Sequence, residues 1–171
     1  PLAAGGAGSA SLYYGGPSGL AAAPAWTAAG EAANDFYGGS VHGAGDVNGD
    51  GYADILVGAI FAAQGYGRAY LYLGSAAGPG PAPAWTADGA APYTNFGSAI
   101  GGAGDVNGDG YADIAVGASF DNSANGKVFV YYGGPGGPAA APSWTAAGTP
   151  DDFAFGAAVA FLGDLNGDGY D

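Results

Sequence analysis

Asp46, Asn48, Asp50 and Asp54 put four oxygen-bearing side chains at positions 1, 3, 5 and 9 of one short segment, with Gly51 at position 6. Asp105, Asn107, Asp109 and Asp113 repeat the pattern around Gly110, and Asp164, Asn166 and Asp168 begin it a third time. Alternate residues of a tight turn can point inward, and glycine permits the sharp bend. Hard oxygens in this number suit calcium, which takes about six to eight oxygen ligands in flexible geometry. The carbonyls of Tyr52, Tyr111 and Tyr170, at position 7, are the natural backbone ligands. Magnesium is disfavoured, because it keeps its water in a strict octahedron. An EF-hand would need a bidentate Glu at position 12, where this chain has Val57 and Val116 inside apolar runs. The Asp at position 9 therefore takes the closing role, in a hairpin between strands. In the third loop position 9 is missing, and Asp171 stands at position 8. The bland alternative is an Asn/Asp/Gly-rich turn without metal. Three copies of one ligand pattern exceed what turn chemistry requires.

The loops sit in a repeat of 59 residues. Trp26, Trp85 and Trp144 are spaced by that period, as are Asp46, Asp105 and Asp164. Nine residues before each loop stands an aromatic-glycine pair: Tyr37-Gly38, Phe96-Gly97 and Phe155-Gly156. One unit reads as four short strands. The first runs from the aromatic-glycine pair to the acidic loop, as in Phe96 to Gly104. The second is the apolar run Ile55–Ala59 or Ile114–Ala118, whose continuity predicts burial on both faces. The third is Arg68–Leu73 or Lys127–Tyr132, and the fourth holds the tryptophan. No segment keeps a 3.6-residue apolar period, and the glycines oppose helix. The expected fold is all-β: propeller blades of four antiparallel strands, about three present. The divisions are 1–36 (tail of a blade), 37–95, 96–154 and 155–171 (start of a further repeat). The third period stops short and the chain has no methionine. Both lead us to expect an excerpt of a longer propeller, with assembly of identical chains as the alternative.

Composition narrows the function. The 171 residues hold 37 Gly and 11 Pro, yet are 49% hydrophobic, with 3 Trp, 12 Tyr and 8 Phe to fill a core. The formal charge is −13, with Arg68 and Lys127 the only basic residues. Nucleic-acid binding through a basic patch is excluded, as is attachment to an anionic membrane. Such self-repulsion opposes a compact state, and divalent cations would relieve it. No cysteine is present, so there is neither a disulfide frame nor a thiolate site. No apolar stretch is long enough to insert in a membrane.

These residues resemble FG-GAP repeats, the blades of integrin α-subunit propellers and of many secreted bacterial proteins. The FG element is Phe96-Gly97 and Phe155-Gly156, with Tyr37-Gly38 as a variant. The GAP element reads Gly58-Ala59-Ile60 and Gly117-Ala118-Ser119, its proline replaced in both; Pro1 occupies that proline's position. The resemblance covers essentially the whole chain. It implies a β-propeller, structural calcium in the hairpin loops and an extracellular or cell-surface setting, where millimolar calcium fills moderate-affinity sites.

Other residues carry weaker signals. His42 is the only histidine and replaces a strand glycine, which favours packing or surface over catalysis. Asp35 and the pair Asp151-Asp152 lie in loops and read as solvated acids. The tryptophans could stack on sugars, but their identical blade positions favour packing between blades. No nucleophile or phosphate-loop motif appears, so the expected role is non-enzymatic. The loops that differ most between copies are 60–67 against 119–126, and 30–36 against 88–95 and 148–154. Variable loops on a rigid scaffold are where ligands are recognised. Tyr66, Tyr93, Asp121, Asn122 and Asn125 are the candidates there, on the face opposite the acidic hairpins. The leading expectation is a calcium-binding extracellular module for adhesion or binding of a protein or glycan ligand. Alternatives are a lectin-like propeller, a non-catalytic domain of a larger secreted enzyme, or part of a surface assembly. Glycan-array binding that disappears when the loop aromatics are changed would single out the lectin reading.

Overall fold

A computed structural model describes residues 6–121 and 125–171. Pro1 and Asn122 lie outside the described residues. The strands group by repeat. A partial first unit holds β1 (Ser9–Leu12) paired with β4 (Trp26–Ala29), with a small hairpin of β2 (Gly15–Gly16) and β3 (Gly19–Leu20) between them. The second unit is a four-stranded antiparallel sheet of β5 (Tyr37–Gly45), β6 (Asp54–Ala59), β7 (Arg68–Tyr72) and β8 (Trp85–Asp88), in chain order. The third repeats it as β9 (Phe96–Gly104), β10 (Asp113–Ala118), β11 (Lys127–Tyr131) and β12 (Trp144–Ala147). These sheets are propeller blades, and they do not close into a ring.

The apolar second strands are buried on both faces, as their composition requires. In β6, Leu56 joins the core shared with the third unit, with Val47, Leu71, Phe96, Ile100, Ile114 and Tyr131. Its neighbours Val57 and Ala59 point the other way, into a core with Ala10, Tyr37, Tyr70 and Tyr72. Alternation along one strand thus feeds two inter-blade cores.

Gly58 shows why the GAP glycine is needed. A Cβ there would stand 2.1 Å from the Gly97 carbonyl oxygen and 2.2 Å from Ser40 Oγ. Ser40 Oγ donates to that same carbonyl at 2.7 Å. Gly97, with φ +84°, turns its carbonyl onto the preceding blade, so the FG glycine of one unit seats on the GAP glycine of the unit before. Gly117 and Gly156 repeat the contact.

The tryptophans join consecutive blades. Trp26 Nε1 donates to the Gly80 carbonyl at 2.9 Å, and its ring meets Tyr72 edge-on at 4.8 Å. Trp85 Nε1 donates to the Ala139 carbonyl at 3.1 Å and meets Tyr131 at 4.9 Å. Burial pushes the Tyr131 phenol up to about 12. Trp144, by contrast, is 51% exposed. Trp85→Phe, which loses the indole hydrogen bond, is expected to cost about 1 kcal/mol by chemical denaturation. Trp144→Phe is expected to cost nothing measurable, and equal losses would contradict this packing.

Two features depart from the sequence reading. The first strand expected from Phe155 does not form; Phe155 makes one isolated parallel bridge, to Gly126, and 156–171 runs without strand pairing. A first strand is held by the hydrogen bonds of its second strand, and 156–171 makes no such pairing here. The other is a single helical turn at Ala62–Gly65, in which Ala63 and Gln64 adopt left-handed φ of 52° and 63°. No helix among the described residues is long and apolar enough to cross a membrane.

Candidate metal-binding hairpins and the opposite loop face

Each acidic loop joins the first strand of its blade to the second, and folds on its own oxygens. Asp46 Oδ1 accepts from the Asp50 N–H at 3.0 Å and Oδ2 from Gly51 N–H at 2.7 Å. Asn48 Oδ1 also accepts from Asp50 N–H, at 3.2 Å, and Asp50 Oδ1 accepts from Tyr52 N–H at 2.9 Å. Asn48 Nδ2 donates to Asp50 Oδ2 at 2.9 Å. Gly49 and Gly51 hold positive φ of 74° and 89°, which turns the chain back on itself. Asp105, Asn107, Asp109 and Tyr111 reproduce every one of these bonds.

The position-9 aspartates differ from the rest. Asp54 is 1% exposed and Asp113 fully buried, whereas Asp46 and Asp105 are partly buried and Asp50 and Asp109 exposed. Asp54 Oδ2 accepts from Val47 N–H at 2.8 Å, and Oδ1 from Gly74 N–H at 2.8 Å. Asp113 does the same with Val106 at 2.9 Å and Gly133 at 2.9 Å. One buried carboxylate thereby ties the start of the hairpin loop to the turn after the third strand. Burial pushes both carboxyls above their ordinary range, against the pull of their two amide bonds. Asp50 and Asp46 push Asp54 further up, as Asp109 and Asp105 push Asp113. The three carboxylates of a loop are therefore close enough to repel.

In the third loop Asp164 accepts from the amides of Gly167, Asp168 and Gly169, and Asp168 from Tyr170. Asn166 Nδ2 donates to Asp168 Oδ2 at 2.9 Å. The Gly169 amide foremost holds the exposed Asp164 carboxyl below its ordinary range. This loop keeps the local fold of the others without a buried closing carboxylate.

The donor set fits calcium in kind: hard oxygens, two lone pairs on each carboxylate oxygen, and one amide bond on most of them. Among the described residues, however, no three His, Cys, Asp or Glu side chains stand together in a ready-made metal cage. The loops are shaped by Asx-type hydrogen bonds, with the Asn48 and Asn107 amides donating to Asp50 and Asp109.

Antiparallel strands place the variable loops at the opposite ends of the sheets, and there the structure brings several candidates together. Tyr93 N–H donates to the Gly65 carbonyl at 2.6 Å. Tyr93 is 71% exposed beside Phe61, Gln64 and Asn34 around an open depression of about 350 Å³. Tyr66 is half exposed nearby. Asp121 pairs with Lys127 at 3.3 Å, and the Asn125 carbonyl accepts from Phe155 N–H at 2.9 Å. Sequence reasoning missed two aromatic pairs on this face, Phe36 with Phe61 and Phe120 with Phe153. Apolar rings in variable loops were the available signal. It also missed that Asp35 is buried, its carboxylate accepting from Ala32 N–H at 2.7 Å. His42 lies exposed on β5, its Nδ1 2.7 Å from the Gly43 carbonyl oxygen. Arg68 links Glu31 and Asp88 across the first and second units.

Comparison with known proteins agrees with this architecture. Residues 46–116 match the family profile of the FG-GAP-like repeat. The chain is 37% identical over 144 residues to integrin alpha-PS2 of Drosophila melanogaster, covering 73% of this chain and 10% of that protein. It is 36% identical over 156 residues to integrin alpha-5 of Xenopus laevis, covering 82% of this chain and 14% of that protein. Human integrin alpha-IIb is 38% identical over 137 residues. The chain thus spans about a tenth to a seventh of the length of these relatives. With its aromatic-glycine pairs, its seated GAP glycines and its four-stranded blades, the chain belongs to the FG-GAP repeat family of β-propeller proteins.

Proposed function

We propose that these blades form part of a non-catalytic, calcium-stabilised extracellular module for adhesion or ligand binding. The observation that carries the calcium reading is the repeated hairpin loop. It carries Asp46, Asn48, Asp50, the Tyr52 carbonyl and Asp54 along one short segment, and again Asp105, Asn107, Asp109, the Tyr111 carbonyl and Asp113. Repelling carboxylates around a buried closing aspartate are costly without a counter-charge. A cation supplies that counter-charge, where the Asn48 and Asn107 amides now give a neutral hydrogen bond. Asp164, Asn166, Asp168 and the Tyr170 carbonyl offer the same donors in a third loop. Calcium here holds the hairpin and does no chemistry.

Adhesion and a cell-surface setting rest on the likeness to integrin alpha chains and on the rigid face carrying Tyr66, Tyr93 and the phenylalanine pairs. That face is suited to a protein or glycan ligand, because exposed aromatics on fixed loops bury large area at low entropic cost.

Calorimetric titration of calcium into the chelator-stripped protein tests the metal reading. At least two saturable sites are expected, with one lost in Asp50→Ala and one in Asp109→Ala. Absence of saturable heat in the unsubstituted chain would sink it.

A further inference from the structure

The acidic loops touch one another. The ring of Tyr111 lies over Gly49 of the preceding loop, so that a Cβ at Gly49 would stand 2.6 Å from Tyr111 Cε1. Tyr170 lies over Gly108 in the same manner, at 2.8 Å. Beside each ring runs a backbone bond. Ala112 N–H donates to the Asp46 carbonyl at 3.0 Å, and Asp171 N–H donates to the Asp105 carbonyl at 3.3 Å. Asp171 Oδ2 also accepts from Asp105 N–H at 2.8 Å. A second route passes through Val47. Its N–H donates to Asp54 Oδ2, its carbonyl accepts from Gly134 N–H at 3.0 Å, and the adjacent Gly133 N–H donates to Asp113 Oδ1. The closing aspartates of two successive loops are thus joined through hydrogen bonds and the Val47 and Gly133-Gly134 backbone.

We propose that the loops take up calcium as a coupled series, with Tyr111 and Tyr170 as the side chains that pass order from one loop to the next. The inference rests on the calcium reading above. Asp46 is the first ligand of its loop, and its carbonyl holds Ala112. Ala112 lies between the Tyr111 carbonyl and Asp113, two ligands of the next loop. Fixing Asp46 around an ion therefore fixes the backbone that carries two ligands of its neighbour. The second ion then meets a loop whose ordering cost has already been met, which makes binding positively cooperative. The effect is reciprocal by linkage.

Tyr111→Ala offers a clean separation, because it removes the ring and keeps the carbonyl ligand. Tyr52 is its control: it occupies the same position in the first complete loop, is 44% exposed and covers no earlier acidic loop in this chain. Calcium titrations followed by the Gly51 and Gly110 amide resonances read the two loops separately. Asp50→Ala disables the first site and is expected to weaken the Gly110 midpoint by about five- to tenfold. On a Tyr111→Ala background that shift is expected to shrink by about half, since the Ala112–Asp46 and Gly134–Val47 backbone bonds remain; on Tyr111→Phe it returns, on Tyr52→Ala it persists, and a shift undiminished by Tyr111→Ala overturns the role of the ring. If Tyr111→Ala loses its amide dispersion, the Asp50→Ala shift in the otherwise unsubstituted chain decides the matter. A Gly110 midpoint unmoved by Asp50→Ala, with calcium still binding, overturns the coupling and leaves the calcium reading intact. No saturable shift at either amide overturns both.

Discussion

Removal of calcium is expected to lower the melting temperature of this chain by about 10–20 °C. Two complete loops are involved, and each bound ion stabilises the native state by RT ln(1 + [L]/Kd). That is about 2.7 kcal/mol per site when calcium stands 100-fold above Kd. For a domain of this size each kcal/mol moves the midpoint by about 2–4 °C. A chain of formal charge −13 has little else to offset its carboxylates. The pH dependence follows from Asp54 and Asp113, whose folded-state carboxyls lie above the ordinary 3.8 because of burial and neighbouring acids. In the window between 3.8 and the raised values, the native state binds more protons than the unfolded state. The metal-free protein therefore loses the contribution of these two groups as pH rises through that window, and regains it on acidification. With calcium the sign reverses, because the ion requires the ionised carboxylates. Thermal scans at neutral and mildly acidic pH, with calcium and after chelation, read both effects. Superimposable curves at neutral pH would contradict the calcium contribution.

Asp113→Ala is expected to destabilise the protein by about 1–3 kcal/mol even without calcium, because two orphaned amides at about 1–3 kcal/mol each outweigh the relief from carboxylate burial and repulsion. The buried carboxylate accepts from Val106 N–H and Gly133 N–H, and alanine leaves both without an acceptor. Asp109→Ala is the comparison. Asp109 is exposed, and its Oδ1 accepts from Tyr111 N–H, which water can replace. Its loss should be nearly silent in the stripped protein and should appear only when calcium is present. Urea denaturation of both variants, with and without calcium, separates the roles. Equal stability of Asp113→Ala and the parent after chelation would show that the position-9 aspartate is a metal ligand and nothing more.

The part Asp113 plays as a strut between loop and turn marks the boundary of what the residues alone reveal. The positions 1, 3, 5 and 9, the glycine at 6 and the tyrosine carbonyl at 7 are a local pattern. Ligand spacing in a turn depends on neighbours a few residues away. The strand order was legible for a similar reason: four short apolar runs separated by turn residues, recurring every 59 positions, leave few arrangements. Burial of β6 and β10 on both faces followed from their continuous apolar composition.

Contacts between repeats were not legible. Nothing in the local pattern says that Asp54 will accept from Gly74, that Gly58 must admit the Gly97 carbonyl, or that Tyr111 will lie on Gly49. The repeat, the strands and the chemical kind of each loop can be read from residue order, because they depend on short-range periodicity and turn chemistry. Which glycines are seats, which aspartates are struts and which tyrosines bridge the loops emerges from the folded molecule alone. Those roles depend on how one twisted sheet is rotated against the next, and that rotation is set by packing across whole blades.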